Sequence, residues 1–476
     1  MKRFIEGVSR DQSTLFPERL EDFIGEDNPV RVIDEFVASL DLGELGFEGI
    51  TPCATGRPAY HPSVILKLYI YGYLNRIPSS RRLERETQRN VELMWLCERL
   101  SPDFKTIADF RKDNGKAIRG VCREFVMLCR HLDVFTQAIV AIDGSKFKGV
   151  NHRDRNFTPA KMKRRLEQLE ASIDRYLGQL DSADQGEPGV TEAHAERLKE
   201  KVAVMKEEMQ RLRTIQTRMT EAPDKQVSLT DPDARSMKTR GQGIVGYNVQ
   251  TAVDPKHHLI VDHEVINTGI DRHQLSTMAK RARESVGAQD LTVIADRGYY
   301  KSDEILACEE AGIKVVVPKS KTSNNEARGL FGRDAFRYVS ETDEYICPAG
   351  QRAIWRFRTV EGGRTLDCYW SSACSTCSIK RRCTTGVQRR IKRWIHESVL
   401  DQVQARLDQK PETMQLRRQT AEHPFATLKT WMGYTHFLTR TLPNVRTEMS
   451  LQVLAYNLKR VINLMGVGAL REALAP

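Results

Sequence analysis

AIVAIDGSK, residues 138–146, is the segment from which the topology of this chain can be worked out. Its first five residues are apolar, and the run then stops at an acid, a glycine and a serine. Apolar runs of about five residues that stop at glycine are typical of buried strands. We therefore predict a strand that ends at Asp143. Its carboxylate should lie at the edge of the sheet, where open α/β sheets bind ligands.

Two further segments each present one acidic residue. LTVIADRGY, residues 291–299, is a second apolar run, and it ends on Asp296. RQTAEHPF, residues 418–425, contains Glu422, and Lys429 follows seven residues later. Three carboxylates of this kind are the hard oxygen ligands that Mg²⁺ prefers. The alternative for each acid is a carboxylate that only caps a turn or a helix.

The elements between these acids indicate an α/β core. Residues 247–253 alternate with period two, and residues 259–265 return as a hairpin partner. A helix over 272–285, the strand ending at Asp296, a helix over 302–311 and a strand over 313–317 follow. This order is that of a ribonuclease-H-like mixed sheet flanked by helices. It places the first and fourth strands side by side, so Asp143 should lie near Asp296.

The N-terminal part of the chain has a helical pattern, unlike the α/β core. Residues 1–135 are predicted to form an all-α domain of short helices that carry arginines and are separated by turns. Such a pattern resembles a helix-turn-helix-like DNA-binding unit, and a plain helical domain with solvated arginines is the alternative. The net charge of +11 over 476 residues favours a polyanionic partner.

Membrane and secretory proteins are disfavoured as classes. No stretch approaches the roughly 18 apolar residues of a membrane span. Residues 1–6, MKRFIE, meet charged residues too early for a secretory signal. We expect a cytoplasmic protein that is associated with the nucleoid when it binds DNA.

Two insertions interrupt the core, which we assign to residues 136–325 and 401–476. Residues 158–220 carry apolar residues at spacings of three and four on either side of a polar breaker at 181–189, which predicts an antiparallel helical hairpin. Its charged faces are read as solvated, with dimerisation or DNA contact as the alternative.

The second insertion, residues 326–400, is rich in cysteine. Cys374 and Cys377 have the two-residue spacing that lets both thiolates face one metal ion, and Cys347 and Cys383 complete a candidate set for a structural Zn²⁺. Cys368 and His396 are rival ligands, and unligated thiols are the alternative. The arginines and lysines that flank the cysteines make this insertion a candidate phosphate-contacting arm.

Taken together, these segments resemble the DDE transposases of bacterial insertion sequences over nearly the whole chain. The resemblance rests on Asp143 in AIDGSK, Asp296 in ADRGY, and Arg418, Glu422 and Lys429, which match a Y-x₂-R-x₃-E-x₆-K signature. A helical N-terminal domain and a Cys-bearing insertion are also similar to that group.

One position departs from the signature. Gln415 stands where its tyrosine is expected, which puts one supporting contact in doubt. Because Pro424 lacks an amide donor, we expect Glu422 within the first turn of its helix.

The resemblance implies a function and a site. Asp143 would bridge two Mg²⁺ ions (or Mn²⁺), with Asp296 binding one and Glu422 the other. Arg418 and Lys429 would hold phosphates, and Lys146 and Arg297 are weaker phosphate candidates; ordinary surface charges are the alternative.

The enzyme would bind the terminal inverted repeats of its element, cleave the DNA by two-metal hydrolysis and join the ends to target DNA, working as a homodimer on the DNA. A ribonuclease-H-like nuclease without strand transfer and an inactive, domesticated DNA-binding protein are the competing functions.

Overall fold

The computed structural model describes residues 19–52, 58–136, 138–184, 192–239, 241–320 and 324–475. Segment 1–6, whose charged residues disfavour a secretory signal, lies outside these ranges. So does most of the polar breaker in the predicted hairpin.

The N-terminal part of the described chain is helical. Asn28 caps the first helix by accepting a hydrogen bond from the Val30 amide, and Pro29 occupies the first turn, where its missing N–H costs nothing. The helices are α1 (Pro29–Ala38), α2 (Pro62–Leu74), α3 (Ser80–Thr87), α4 (Val91–Leu96), α5 (Phe104–Asp113) and α6 (Gly115–His131).

The α/β part begins with β1 (Ile139–Lys148) and is interrupted at once by the hairpin. A short ribbon of β2 (Asn156–Phe157) and β3 (Val227–Ser228) joins the base of two long helices, α7 (Pro159–Asp184) and α8 (Glu192–Glu221). These two helices pack on each other through a small apolar cluster that includes Met162, Leu212 and Ile215.

The main sheet then continues. Its further elements are β4 (Arg235–Thr239), β5 (Gln242–Val253), β6 (Ile260–Ile266), α9 (Leu275–Val286), β7 (Thr292–Ala295), α10 (Ser302–Glu309) and β8 (Lys314–Val316). The described residues form a six-stranded sheet of order β4-β5-β1-β7-β8, with β6 also paired to β5. Because β5 is antiparallel to β1 and β7 is parallel to it, the sheet is mixed, and the predicted α/β class is confirmed.

The Cys-rich segment forms its own antiparallel sheet of order β13-β12-β11-β10-β9. Its elements are β9 (Arg337–Val339), β10 (Glu344–Ile346), β11 (Arg352–Glu361), β12 (Arg364–Trp370), the single turn α11 (Lys380–Cys383) and β13 (Ile391–Trp394). The chain ends with α12 (Glu397–Gln409), α13 (Thr413–Ala426), α14 (Leu442–Met465) and α15 (Val467–Leu474).

Helix α14 joins the N-terminal helices to the main sheet. It contacts α2, α6 and β6, and most of its side chains are buried in one large apolar core. On this helix, the buried Asn457 accepts a hydrogen bond of 3.0 Å from the Ile260 amide and donates one of 2.8 Å to the Ile260 carbonyl. No helix in the described ranges is long and apolar enough to cross a bilayer.

Two sequence predictions about the site elements are wrong. Strand β1 does not end at Asp143 but continues to Lys148, because its antiparallel pairing with β5 persists from Ala141 to Lys148. What ends before Asp143 is the parallel pairing with β7, whose last pair is Ile142 with Ala295.

The second correction concerns Glu422. Helix α13 begins at Thr413, so Glu422 lies in its second half and Pro424 lies inside the helix. A proline there removes one backbone hydrogen bond, and a π-helical turn over Thr427–Trp431 follows directly. Local widening of this kind lets a helix accommodate an interior proline.

Candidate active site

Asp143 and Asp296 lie side by side at the point where two parallel strands stop pairing. Each is the residue that follows the last β1–β7 pair, so both emerge at the same edge of that ladder. The guanidinium of Arg417, on α13, lies between them. Its Nη2 atom is 2.7 Å from Oδ1 of Asp143 and 3.9 Å from Oδ2 of Asp296.

The packing of α13 explains why Arg417 reaches this position. Ala421, one helical turn after Arg417, is fully buried against Ala141, Ile294 and Val316 of β1, β7 and β8. Residues four apart share one face of a helix, so Arg417 faces the same sheet. On β1, Asp143 shares the face of Ala141, two residues before it.

The carboxyl group of Asp143 has a strongly raised pKa. Burial raises its pKa to about 6, against the lowering effect of Arg417 and of a hydrogen bond of 2.8 Å from the Gly144 amide. The neighbouring carboxylates of Asp296 and Asp271 raise the pKa further. A carboxyl group of this kind, in a cleft with charged partners, is a candidate functional group and gains from a nearby cation.

Gly144 and Gly298, which follow the two aspartates, have different structural roles. The Gly298 amide donates a hydrogen bond of 2.7 Å to Oδ1 of Asp296, which fixes that side chain in a tight turn. A Cβ on Gly144 would collide with the Gln250 amide group and the Asp271 carboxylate. Gly144 therefore allows a polar cluster to approach β1 from the face opposite Asp143.

That polar cluster is centred on Asp271, which precedes α9. Oδ1 of Asp271 accepts hydrogen bonds of 2.7 Å from Asn248, 2.8 Å from Gln250 and 3.2 Å from Nζ of Lys146. Gln250 in turn accepts from the buried hydroxyl of Tyr299. Because these groups connect β1, β5 and the turn after β7, they fix the backbone that carries both catalytic candidates.

Glu422 lies outside the aspartate pair. It is exposed on α13, five residues beyond Arg417, on the flank that also carries Arg418. In the described ranges, no three His, Cys, Asp or Glu side chains are placed to hold one metal ion. The structure thus brings two of the three predicted acids together, and a guanidinium lies between them.

The predicted phosphate-binding residues have different environments. Nζ of Lys429 donates to Oγ of Ser145 (2.6 Å) and to the carbonyl of Lys146 (2.9 Å), so this lysine contacts β1 beside Asp143. Lys146 points to the opposite face and pairs with Asp271. Arg297 and Arg418 are exposed.

The donor set at the aspartate pair fits a divalent cation of the Mg²⁺ type. The groups are hard carboxylate oxygens at an open strand edge. Within the described residues, the buried Oγ1 of Thr251, the residue opposite Asp143 on β5, has no hydrogen-bond partner. Buried polar atoms without partners are rare, and they are expected where a site receives a further group.

The four predicted zinc ligands line one small cavity of about 30 Å³. They are Cys347, Cys374, Cys377 and Cys383, whereas the rivals Cys368 and His396 are not part of its lining. Burial raises the pKa of Cys383, and the other three thiols raise it further. In the described structure, no three of these thiols are placed to hold one metal ion, so zinc binding stays a prediction.

Sequence reasoning missed Arg417 and Asp271. The signature selects the neighbouring Arg418. The signal for Arg417 is its spacing of four residues from the apolar Ala421, which places both on one face of a helix. Asp271 lies in a turn, GIDRHQ, that carries no periodic pattern. Only the fold brings it behind Gly144.

Comparison with known families settles the class of the protein. Residues 18–113 match a family described as a transposase domain (DUF772), and residues 217–458, just over half of the chain, match the transposase DDE domain. The chain belongs to the DDE transposase family. Asp296 and Glu422 of this transposase fall inside the second match, and Asp143 precedes it.

Other comparisons add less. One solved structure, a cryo-EM structure of a piggyBac transposase synaptic complex with hairpin DNA, aligns with 94% of this chain and 78% of that chain at 10% identity and a TM-score of 0.32. A likeness of this size carries no argument about the present fold. The comparison with curated proteins finds no match.

Proposed function

We propose that this DDE transposase is a divalent-metal-dependent enzyme that cleaves DNA at the terminal repeats of its own element and joins the ends to target DNA. The observation that carries the proposal is the placement of Asp143 and Asp296 on adjacent parallel strands with one guanidinium between them. The strand order supports a ribonuclease-H-like core.

In this proposal the acids have distinct tasks. Asp143, which is largely buried, and Asp296, which is half exposed, would hold the metal in place of Arg417, and Glu422 on α13 would supply the third carboxylate. Mg²⁺ or Mn²⁺, as a pair of ions, supplies Lewis-acid activation of the attacking oxygen and neutralises charge on the leaving oxygen.

The chemistry balances without a protein nucleophile. In cleavage, a water oxygen loses a proton and forms a bond to phosphorus, the bond from phosphorus to the 3′ oxygen breaks, and that oxygen takes up a proton to give a 3′-hydroxyl. In joining, the 3′-hydroxyl oxygen attacks a phosphodiester of the target, loses its proton and displaces the target's own 3′ oxygen.

Basic residues near the site have supporting tasks. Lys429, beside Ser145, and the exposed Arg418 and Arg297 contact phosphates of the transposon end, and Arg417 becomes available to do the same. Lys146 acts as a positioning residue through Asp271. A charge-assisted contact from a basic side chain to a phosphate is strong enough to fix the register of a DNA strand.

The domain assignments complete the proposal. Residues 1–135 bind DNA through their helices, residues 136–325 and 401–476 form the catalytic core, residues 158–220 form the hairpin insertion, and residues 326–400 form a possible zinc-binding arm. Pairing two transposon ends requires two copies of the chain, so a dimer forms on the DNA.

The test is incubation of the purified transposase with labelled DNA that carries the ends of its element and Mg²⁺. We expect cleaved and strand-transfer products from the wild type. Each of D143N, D296N and E422Q should lose at least roughly a hundredfold in rate, because metal stabilisation of this chemistry is worth several kcal/mol. D290N, at an exposed position, is the matched control.

The outcomes separate the candidate functions. Cleavage without joined products would indicate a nuclease of the same fold. Binding without either reaction would indicate an inactive DNA-binding protein. Unchanged activity in D143N would reject the assignment of the site.

A further inference from the structure

A large groove lies where the helical hairpin leaves the main sheet. Its volume is about 1210 Å³. It is lined by the last residue of β1, the segment that leads into α7, the first turns of α7, one turn of α8 and the paired edge of β4 and β5. It is thus separate from the aspartate pair but begins on the same strand.

The lining of this groove is strongly basic. Glu208 is paired with Arg211 at 3.0 Å, so Asp154 is the one lining carboxylate in the described chain that is left to oppose the other cations. The cationic lining residues are Lys148, Arg155, Lys161, Arg164, Arg165 and Arg211.

Three of these cations are unpaired within the part of the chain that the structure describes. The side chains of Arg155, Arg164 and Arg165 are exposed, and none of them forms an ion pair with any residue that the structure describes. Two of them lie in the first two turns of α7, a helix whose first turn contains no acidic residue. The N-terminus of a helix carries the positive end of its dipole, which repels these cations unless an anion lies close by.

We propose that this groove binds the phosphate backbone of double-stranded DNA beside the end of the strand that carries Asp143. The inference rests on the proposed function. Lys148 is five residues after Asp143 along β1, a distance of about 16 Å at the usual rise of a strand. A duplex held at Asp143 can therefore reach the groove within one helical turn of DNA.

The size and lining of the groove favour a polymer over a small anion. Pockets for small ligands are mostly apolar with a few polar groups, whereas this groove is open and carries arginines along its length. Contacts of this kind are independent of base sequence and neutralise phosphates one by one. The helical hairpin thereby acts as a DNA clamp.

The experiment measures binding of full-length transposase to a fluorescein-labelled 40-base-pair duplex of random sequence over a series of salt concentrations. The test variant is R164E/R165E. The control is R197E/K199E, which makes the same charge change on exposed positions of α8 outside the lining of the groove. Circular dichroism confirms that both fold.

For the test variant we expect affinity to fall by about tenfold or more and the slope of log K against log salt to decrease by about two, because roughly one unit is lost per phosphate contact. The control should stay near the wild type. The neutral variant R164Q/R165Q should show the same decrease in slope with a smaller loss of affinity.

The contradicting results are distinct from failure of the proposed function. If the wild type binds and cleaves DNA while R164E/R165E keeps wild-type affinity and slope, the groove assignment is wrong and the function stands. An equal loss in the test and control variants would also overturn the groove, because it would indicate net charge alone. A wild type that does not bind DNA would reject both.

Discussion

Arg417 places its Nη2 atom 2.7 Å from Oδ1 of Asp143, inside the pair of carboxylates that we assign to metal binding. Both side chains are largely buried, so the ion pair is little screened by solvent. A cation that binds Asp143 and Asp296 must displace this guanidinium. Arg417 therefore neutralises the site in the absence of metal and competes with metal for it.

Removal of this competitor should strengthen metal binding. In R417Q, titrated with Mn²⁺ at pH 8 without DNA, we expect the Kd to fall by roughly tenfold, about 1.4 kcal/mol. R418Q, which changes the exposed neighbour, is the control and should bind as the wild type does. Weaker Mn²⁺ binding by R417Q would show that Arg417 supports the metal site instead of competing for it.

The raised pKa of Asp143 predicts a specific pH dependence of stability. Folded Asp143 has a pKa of about 6, above its ordinary value of 3.8, so the folded state binds this proton more tightly than the unfolded state. This contribution to stability is fully present below about pH 4 and is lost as pH rises through about 6.

Asn at this position cannot titrate, so D143N should gain stability relative to wild type over the same pH range. The difference in unfolding free energy should shift by up to about 3 kcal/mol in favour of D143N between pH 4 and pH 7. Urea denaturation in EDTA measures it. A difference that stays constant with pH would contradict the assignment of a raised pKa.

The close approach at Gly144 predicts that even one methyl group is harmful. G144A should lower the unfolding free energy by about 1–3 kcal/mol, because the new Cβ collides with Gln250 and Asp271. It should also lower the cleavage rate, since the strand that carries Asp143 must shift. G178A, in α7 with open space around it, is the control and should be neutral or slightly stabilising. Wild-type stability of G144A would argue against the cluster behind β1.

The cysteine cavity predicts one bound zinc ion per chain. Native mass spectrometry of transposase from zinc-supplemented cells should show it, and C374S/C377S should lose it together with the order of the β9–β13 sheet. C368S, at the rival cysteine outside the cavity lining, should retain zinc. Zinc-free wild-type protein would leave the four thiols as free cysteines.

Part of this site could be predicted from sequence because it depends on local patterns. The apolar runs before Asp143 and Asp296 predict buried strands, and short connections leave few ways to pair them. The full length of β1 was not predictable from its own residues, because its extension past Asp143 depends on pairing with β5, a partner about a hundred residues away.

The start of α13, and with it the face that this helix turns toward the sheet, is also not predictable from the sequence. Pro424 argued for a late helix start, and the π-helical turn that accommodates it has no clear sequence signal. A helix that starts near Glu422 does not contain Arg417, so the sequence alone does not place Arg417 on the face of α13 toward the sheet. Tertiary packing of Ala421 decides that face.

The most direct test of the proposed metal site is a crystal structure of the transposase with saturating Mn²⁺, analysed by anomalous scattering. We expect Mn²⁺ bound to Asp143 and Asp296, Arg417 withdrawn from Asp143, and the Glu422 carboxylate turned in as a ligand. No manganese peak at the aspartates, or a peak with Arg417 in place and Glu422 still facing solvent, would contradict the proposal.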